Sequence, residues 1–417
     1  MNRKTSLHTG IIIALSLSVL IETGILFSWG DIQNAFSLFS FLENRGDNSG
    51  HTLDQYAETV FKKCSHETPL NRPSCYDKEI PALMDRLPME DAFRVTELIQ
   101  EKDGGYFYCH VLSHNLSGQE TAKDPSKWKE VVTRCPRGRC SNGCLHGAFQ
   151  ERFRKESLPD ASLDELKKEL LGVCAKRPGW NPTGLERGTC YHALGHLAMY
   201  MTAADIRKSV ALCDTIIRED AAEGYLQICY DGAFMQIFQP LEPEDVALVK
   251  GKQPTAETVR SFCGEFENMQ RGSCWSESWP LFFKQVTTPD GLVQFCGTLE
   301  GAEENRCFNA LFFVLTAQFK LESAAIQQFC AVLPEQRKGQ CFANAAARFV
   351  ETDYRLSRKA KDLCESATLV GAGERCWEEL VTYAGYNFPP GSPDALTLCN
   401  LLPQPWNERC LSRTTKP

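Results

Sequence analysis

The sequence predicts an all-α fold, a right-handed α-solenoid of about ten disulfide-stapled helix-turn-helix repeats behind an N-terminal membrane anchor. Three observations predict it: cysteines recurring at a near-constant interval, helical periodicity between them, and one long apolar run near the N-terminus. One series of cysteines runs Cys75, Cys109, Cys144, Cys190, Cys229, Cys274, Cys307, Cys341, Cys376, Cys410. Apart from three longer steps in the middle, successive members lie 33 to 35 residues apart. A second series, Cys64, Cys174, Cys213, Cys263, Cys296, Cys330, Cys364, Cys399, precedes it. In the C-terminal half each early cysteine stands 11 or 12 positions before its late partner. Such a period marks a helical-hairpin array, because one hairpin cannot bury its apolar face alone.

The hairpins follow from local patterning. Val259, Phe262 and Cys263 fall at i, i+3, i+4, a helical stripe; polar residues from Gly264 to Gly272 interrupt it, and Cys274-Trp275 opens a second stripe. Phe295-Cys296 with Cys307-Phe308, Phe329-Cys330 with Cys341-Phe342, and Leu363-Cys364 with Cys376-Trp377 repeat the plan. Each early cysteine closes a first helix and each late one starts a second, so an antiparallel hairpin brings them within disulfide reach. The expected bridges are Cys64–Cys75, Cys174–Cys190, Cys213–Cys229, Cys263–Cys274, Cys296–Cys307, Cys330–Cys341, Cys364–Cys376 and Cys399–Cys410. Cys109, Cys135, Cys140 and Cys144 remain. The second unit has Leu98 where its early cysteine belongs, so Cys109–Cys140 and Cys135–Cys144 are expected, with the other pairings of these four open.

Twenty paired cysteines place the chain in an oxidising compartment, periplasmic or extracellular. Arg3 and Lys4 precede an apolar run over residues 10–29, long enough to span a bilayer, with no clean cleavage site after it. An uncleaved, single-pass signal anchor is expected, with residues 1–9 cytoplasmic and the C-terminal mass outside. Glu22 inside the span counts against it. Residues 30–54 read as a stalk, residues 55–240 as N-terminal repeats and residues 241–417 as C-terminal repeats. A net charge of −8 without a basic stripe excludes a nucleic-acid partner, which leaves the membrane as the partner of the N-terminal helix.

Period, hairpin pairing and cysteine placement over roughly residues 55–417 resemble the cysteine-rich, secreted members of the tetratricopeptide-like α-solenoids. The tetratricopeptide consensus of Trp, Leu-Gly, Tyr and Pro positions is absent. The resemblance implies an architecture and a protein or peptide partner on the concave face; it implies no substrate.

Histidine is where chemistry enters. Of eight, five lie just after late cysteines of three consecutive units: His110, His114, His146, His192 and His196. His110/His114 and His192/His196 are i, i+4 pairs, so each pair shares a helix face and can reach one cation at about 2 Å. Asp231 continues the register in the next unit, and Glu151 lies one turn beyond His146. Equivalent positions in stacked repeats line one face, so His146, His192 and Asp231 are expected to be neighbours. Later units carry Ser276, Asn309, Ala343 and Glu378 there instead. The expected site is therefore a metal centre of His110, His114, His146, His192, His196 and Asp231, suited to zinc, iron, copper or manganese. Glu151 and Asp231 are the candidates for activating a metal-bound water. Tyr108, Tyr191 and Tyr230, beside late cysteines, either support the ligands or pack between helices. Gly147, Gly195 and Gly232 suit close approach of helices or of a ligand. Two inserts, between Cys144 and Cys190 and between Cys229 and Cys274, form loops at the rim of the histidine-bearing face. No haem is expected, and no metalloprotease, nucleophile-elbow or phosphate-loop motif is present, so no reaction is assigned. The competing reading is a non-enzymatic surface scaffold for a protein, peptide or glycan, with the histidines in a structural polar network.

Overall fold

The computed structural model describes residues 51–153, 167–168, 170–240 and 243–414. The chain divides into a unit of Met1–Tyr56 and a unit of Ala57–Pro417, and the helices named below lie in the second. The expected anchor, residues 10–29, and most of the expected stalk lie outside the described residues. Among the described residues no helix is long and apolar enough to cross a membrane.

The fold is all-helical, with no strand among the described residues. Its spine is a row of second helices, each packed on the next: α1 (His110–Ala122), α2 (Gly143–Arg152), α3 (Gly184–Met201), α4 (Leu226–Phe238), α5 (Asn268–Glu277), α6 (Gly301–Gln318), α7 (Glu335–Thr352), α8 (Gly373–Asn387) and α9 (Trp406–Thr414). The row is held by buried apolar stripes at helical spacing. In α6 these are Phe308, Leu311, Phe312 and Leu315; in α7 they are Phe342, Ala346, Phe349 and Val350. First helices flank the row, for example Ser323–Ala331 beside α7 and Ser357–Leu369 between α7 and α8. Helix starts follow their caps. The Thr183 hydroxyl accepts from the Glu186 amide at 3.1 Å, while the Glu186 carboxylate accepts from the Thr183 amide at 2.7 Å, which fixes the start of α3.

Ten disulfides join Cys64–Cys75, Cys109–Cys140, Cys135–Cys144, Cys174–Cys190, Cys213–Cys229, Cys263–Cys274, Cys296–Cys307, Cys330–Cys341, Cys364–Cys376 and Cys399–Cys410. Their Cα atoms lie between 4.7 and 5.9 Å apart, and no described cysteine is free. Closing a loop of this size removes unfolded-state entropy worth about 2–3 kcal/mol per bridge. The two irregular bridges do something more local. Cys140, Ser141 and Asn142 all take left-handed backbone conformations, with φ of 49°, 50° and 53°. Three successive non-glycine residues there are costly, and Cys109–Cys140 and Cys135–Cys144 pin this turn from either side.

The row also curls back until distant hairpins meet, which the periodic pattern alone does not predict. The Tyr354 amide donates to the Gly138 carbonyl at 3.1 Å, and Arg139 pairs with Asp353 at 3.4 Å. Tyr386 of α8 lies flush against α3, where a Cβ on Gly184 would stand 2.3 Å from its ring. The Tyr354 hydroxyl donates to the Asn387 carbonyl at 2.8 Å, which links this contact to α8. The curl forms an open-mouthed chamber of about 1040 Å³ lined by residues of α1 through α8.

Candidate metal centre

Helices α1, α2 and α3 supply the five imidazoles, and glycine decides how close they come. A Cβ on Gly147 would stand 2.1 Å from the His114 carbonyl oxygen, so α2 lies backbone to backbone against α1 at the level of the histidines. A Cβ on Gly195 would stand 2.0 Å from the Cys229 carbonyl oxygen, and one on Gly232 would stand 2.0 Å from that of His192. Contacts this short leave no room for any side chain. The close approach is therefore between helices.

His146 sits at the hub. Its ring centroid is 5.1 Å from those of His110 and His114, 5.4 Å from His192 and 5.7 Å from His196. The two i, i+4 pairs behave alike: the Nε2 atoms of His110 and His114 are 3.1 Å apart, and so are those of His192 and His196. His110, His114 and His146 offer ligand atoms all within 4.8 Å of one another, a set that can hold a metal ion. His146 is buried, and its Nε2 has no hydrogen-bond partner among the described residues.

The outer contacts orient the rings. The His196 Nδ1 lies 2.6 Å from the Gln236 side-chain oxygen, and the His110 Nδ1 lies 3.3 Å from the Cys140 carbonyl. Each oxygen is an acceptor, so the proton sits on Nδ1 and the Nε2 lone pair points at the neighbouring imidazole. This is how metal-binding histidines are held. Cys140 belongs to the left-handed turn, so the irregular disulfides bear directly on the orientation of His110.

Burial keeps these imidazoles neutral. It pushes His110 down to about 4, with the nearby Arg348 guanidinium adding to the effect. Burial, and then the other rings of the cluster, lower His114, His146 and His192 well below the usual range. Burial also lowers His196, opposed by its bond to Gln236 and by the Asp245 carboxylate. Neutral imidazoles each carry a lone pair a cation can use.

Two spaces border the cluster. A void of about 40 Å³ is bounded by His110, His114, His146, His196, Gln236 and Asp245, with room for about three water-sized atoms. On the other side His110, His146 and His192 form part of the chamber wall.

The remaining predicted residues are placed differently. Asp231 lines the chamber, where it is ion-paired with Arg306 of α6, and it does not join the histidine set. Burial, and then the Asp231 charge, push the Glu277 carboxyl up, and Gln239 donates to Glu277 at 2.7 Å. Glu151 is half-buried on α2, and the residue of that turn facing the small void is its neighbour Gln150. The Tyr191 hydroxyl donates to Asp220 of the next hairpin at 3.1 Å, and the Tyr230 hydroxyl donates to Asp214 on the first helix of its own hairpin, so both tyrosines tie helices together. Tyr108 stacks beside His110 and lines the chamber.

Sequence reasoning did not single out Gln236, Asp245, Tyr200 or Arg348. Asp245, hydrogen-bonded by Tyr200, comes from the insert between Cys229 and Cys274, so the lengthened interval was the available signal. Gln236 lies one turn past Gly232 on α4, and Arg348 reaches the site only through the closure of the row. No protein-family model, curated protein or solved structure matches the chain.

Proposed function

We propose that the chain is a membrane-anchored, extracytoplasmic helical-repeat protein whose histidine cluster holds a divalent first-row transition metal. The observation that carries this is the pair of 3.1 Å Nε2–Nε2 separations flanking a buried His146 whose Nε2 has no hydrogen-bond partner among the described residues. Two nitrogens bound side by side to one cation at about 2.0–2.1 Å stand roughly 3 Å apart, so the rings already have ligand spacing. Without a cation, an i, i+4 pair can satisfy itself with one N–H···N bond, but the buried His146 nitrogen is left out, which disfavours a purely structural network. His110, His114 and His146 are the first ligands to assign, with Gln236 and Cys140 as the groups that orient the cluster. An all-imidazole set suits zinc, copper or iron; manganese, which prefers oxygen, fits least. When bound there, the metal supplies Lewis acidity or redox chemistry to whatever enters the chamber. The disulfides support an extracytoplasmic location, and residues 10–29 supply the anchor, making the bilayer one partner. The open-mouthed 1040 Å³ chamber is the natural seat for a ligand.

Thermal unfolding of the full chain before and after chelation tests this reading. Removing a metal present at 100 to 1,000 times its dissociation constant costs about 3–4 kcal/mol, so chelation lowers the melting temperature and one added metal restores it. An unchanged melting temperature in every metal condition contradicts it.

A further inference from the structure

The five imidazoles do not converge on one point. Two nitrogens on a single first-row dication can stand at most about 4.2 Å apart, twice a ~2.1 Å bond. His110, His114 and His146 come near that limit, with ligand atoms within 4.8 Å of one another, and His192 and His196 do not join them. Those two nevertheless face each other through Nε2 atoms 3.1 Å apart, the same spacing as in the first pair. We infer that the cluster is a dinuclear centre, with one dication on His110, His114 and His146, a second on His192 and His196, and His146 between them. The inference rests on the metal-centre reading above and extends it to a second site.

Three further observations support the second site. The His196 ring is already oriented through Nδ1 to Gln236, which leaves its Nε2 directed at His192. Asp245 borders the same void as His196, His110 and His114, and it provides the negative charge a second cation needs among neutral ligands. The His146 ring stacks on His192 with an interplanar angle of 16° and lies 5.7 Å from His196, so it is shared in space by both pairs. His196 lines the 40 Å³ void and His192 lines the chamber.

The test is metal titration of the chelator-stripped full chain with zinc and, separately, with copper(II), followed by desalting and elemental analysis. The expected result is two equivalents per chain, reduced to one by His192→Gln/His196→Gln and to one by His110→Gln/His114→Gln. The copper(II) form should show the half-field resonance of a coupled pair, lost in either double variant. Glutamine keeps a polar side chain at each position, and the complete set of disulfides reports that the variants fold. One equivalent in the parent chain, retained in His192→Gln/His196→Gln, overturns the second site and leaves the first reading standing. No bound metal in any folded form overturns both.

Discussion

His146→Ala is expected to empty the His110/His114/His146 site in a protein that remains folded. His146 is the ring that touches all four others, at centroid distances of 5.1 to 5.7 Å, and it completes the three-histidine set. Losing a direct ligand weakens binding by more than the ~10- to 100-fold that accompanies loss of a mere orienting partner. The structural cost is smaller. The substitution leaves a void where a ring was buried, but it also removes a nitrogen that had no partner, so a loss of about 1–3 kcal/mol is expected. The bridges Cys109–Cys140 and Cys135–Cys144 still pin the turn beside it. Elemental analysis together with near-ultraviolet circular dichroism checks this. Wild-type metal content in the variant would show that His146 is not a ligand.

Acid is expected to destabilise the metal-free protein between about pH 6.5 and pH 5, above the ordinary carboxylate range. The folded chain holds its five clustered imidazoles below their ordinary pKa, chiefly by burial. Between the unfolded pKa of about 6.5 and the lower folded one, the unfolded chain binds more protons, so stability rises with pH. It is complete above about pH 6.5 and falls as the pH drops. For His110 the decline levels off near its folded value of about 4. His110 alone then accounts for a loss of about 2 kcal/mol at pH 5, and its neighbours add to it. Urea unfolding midpoints at pH 7.5 and pH 5 measure the loss, which should shrink in His110→Gln/His114→Gln. An equal loss in that variant would place the acid sensitivity elsewhere. Protons also compete with the cation for the same lone pairs, so the metal-loaded form should release metal over the same range.

How much of this was legible in the sequence depends on the range of each interaction. The 11- and 12-residue spacings put both cysteines of a hairpin on adjoining helix ends, so those pairings are nearly local properties. The matched placement of the five histidines after late cysteines was equally readable, because stacking turns register into proximity. Asp231 shows the limit of that logic. Its register places it beside His192, yet Arg306, 75 residues further on, claims its carboxylate. Asp245 and Tyr200 meet across an insert with no periodicity to guide a reading. Arg348 and Tyr386 reach the site only because Tyr354 meets Gly138 and Tyr386 meets Gly184, pairings of some 200 residues' separation that no local pattern encodes. Gly147, Gly195 and Gly232 were readable as close approaches, and the structure assigns them to helix contact.

The most direct measurement is the metal content of the full chain, purified in its oxidised form from an oxidising compartment without chelator or added metal. Zinc, copper or iron in near-integral ratio to protein is the predicted result. A folded chain with all ten disulfides formed and no transition metal would contradict the metal centre, and would make the histidines a buried polar strut.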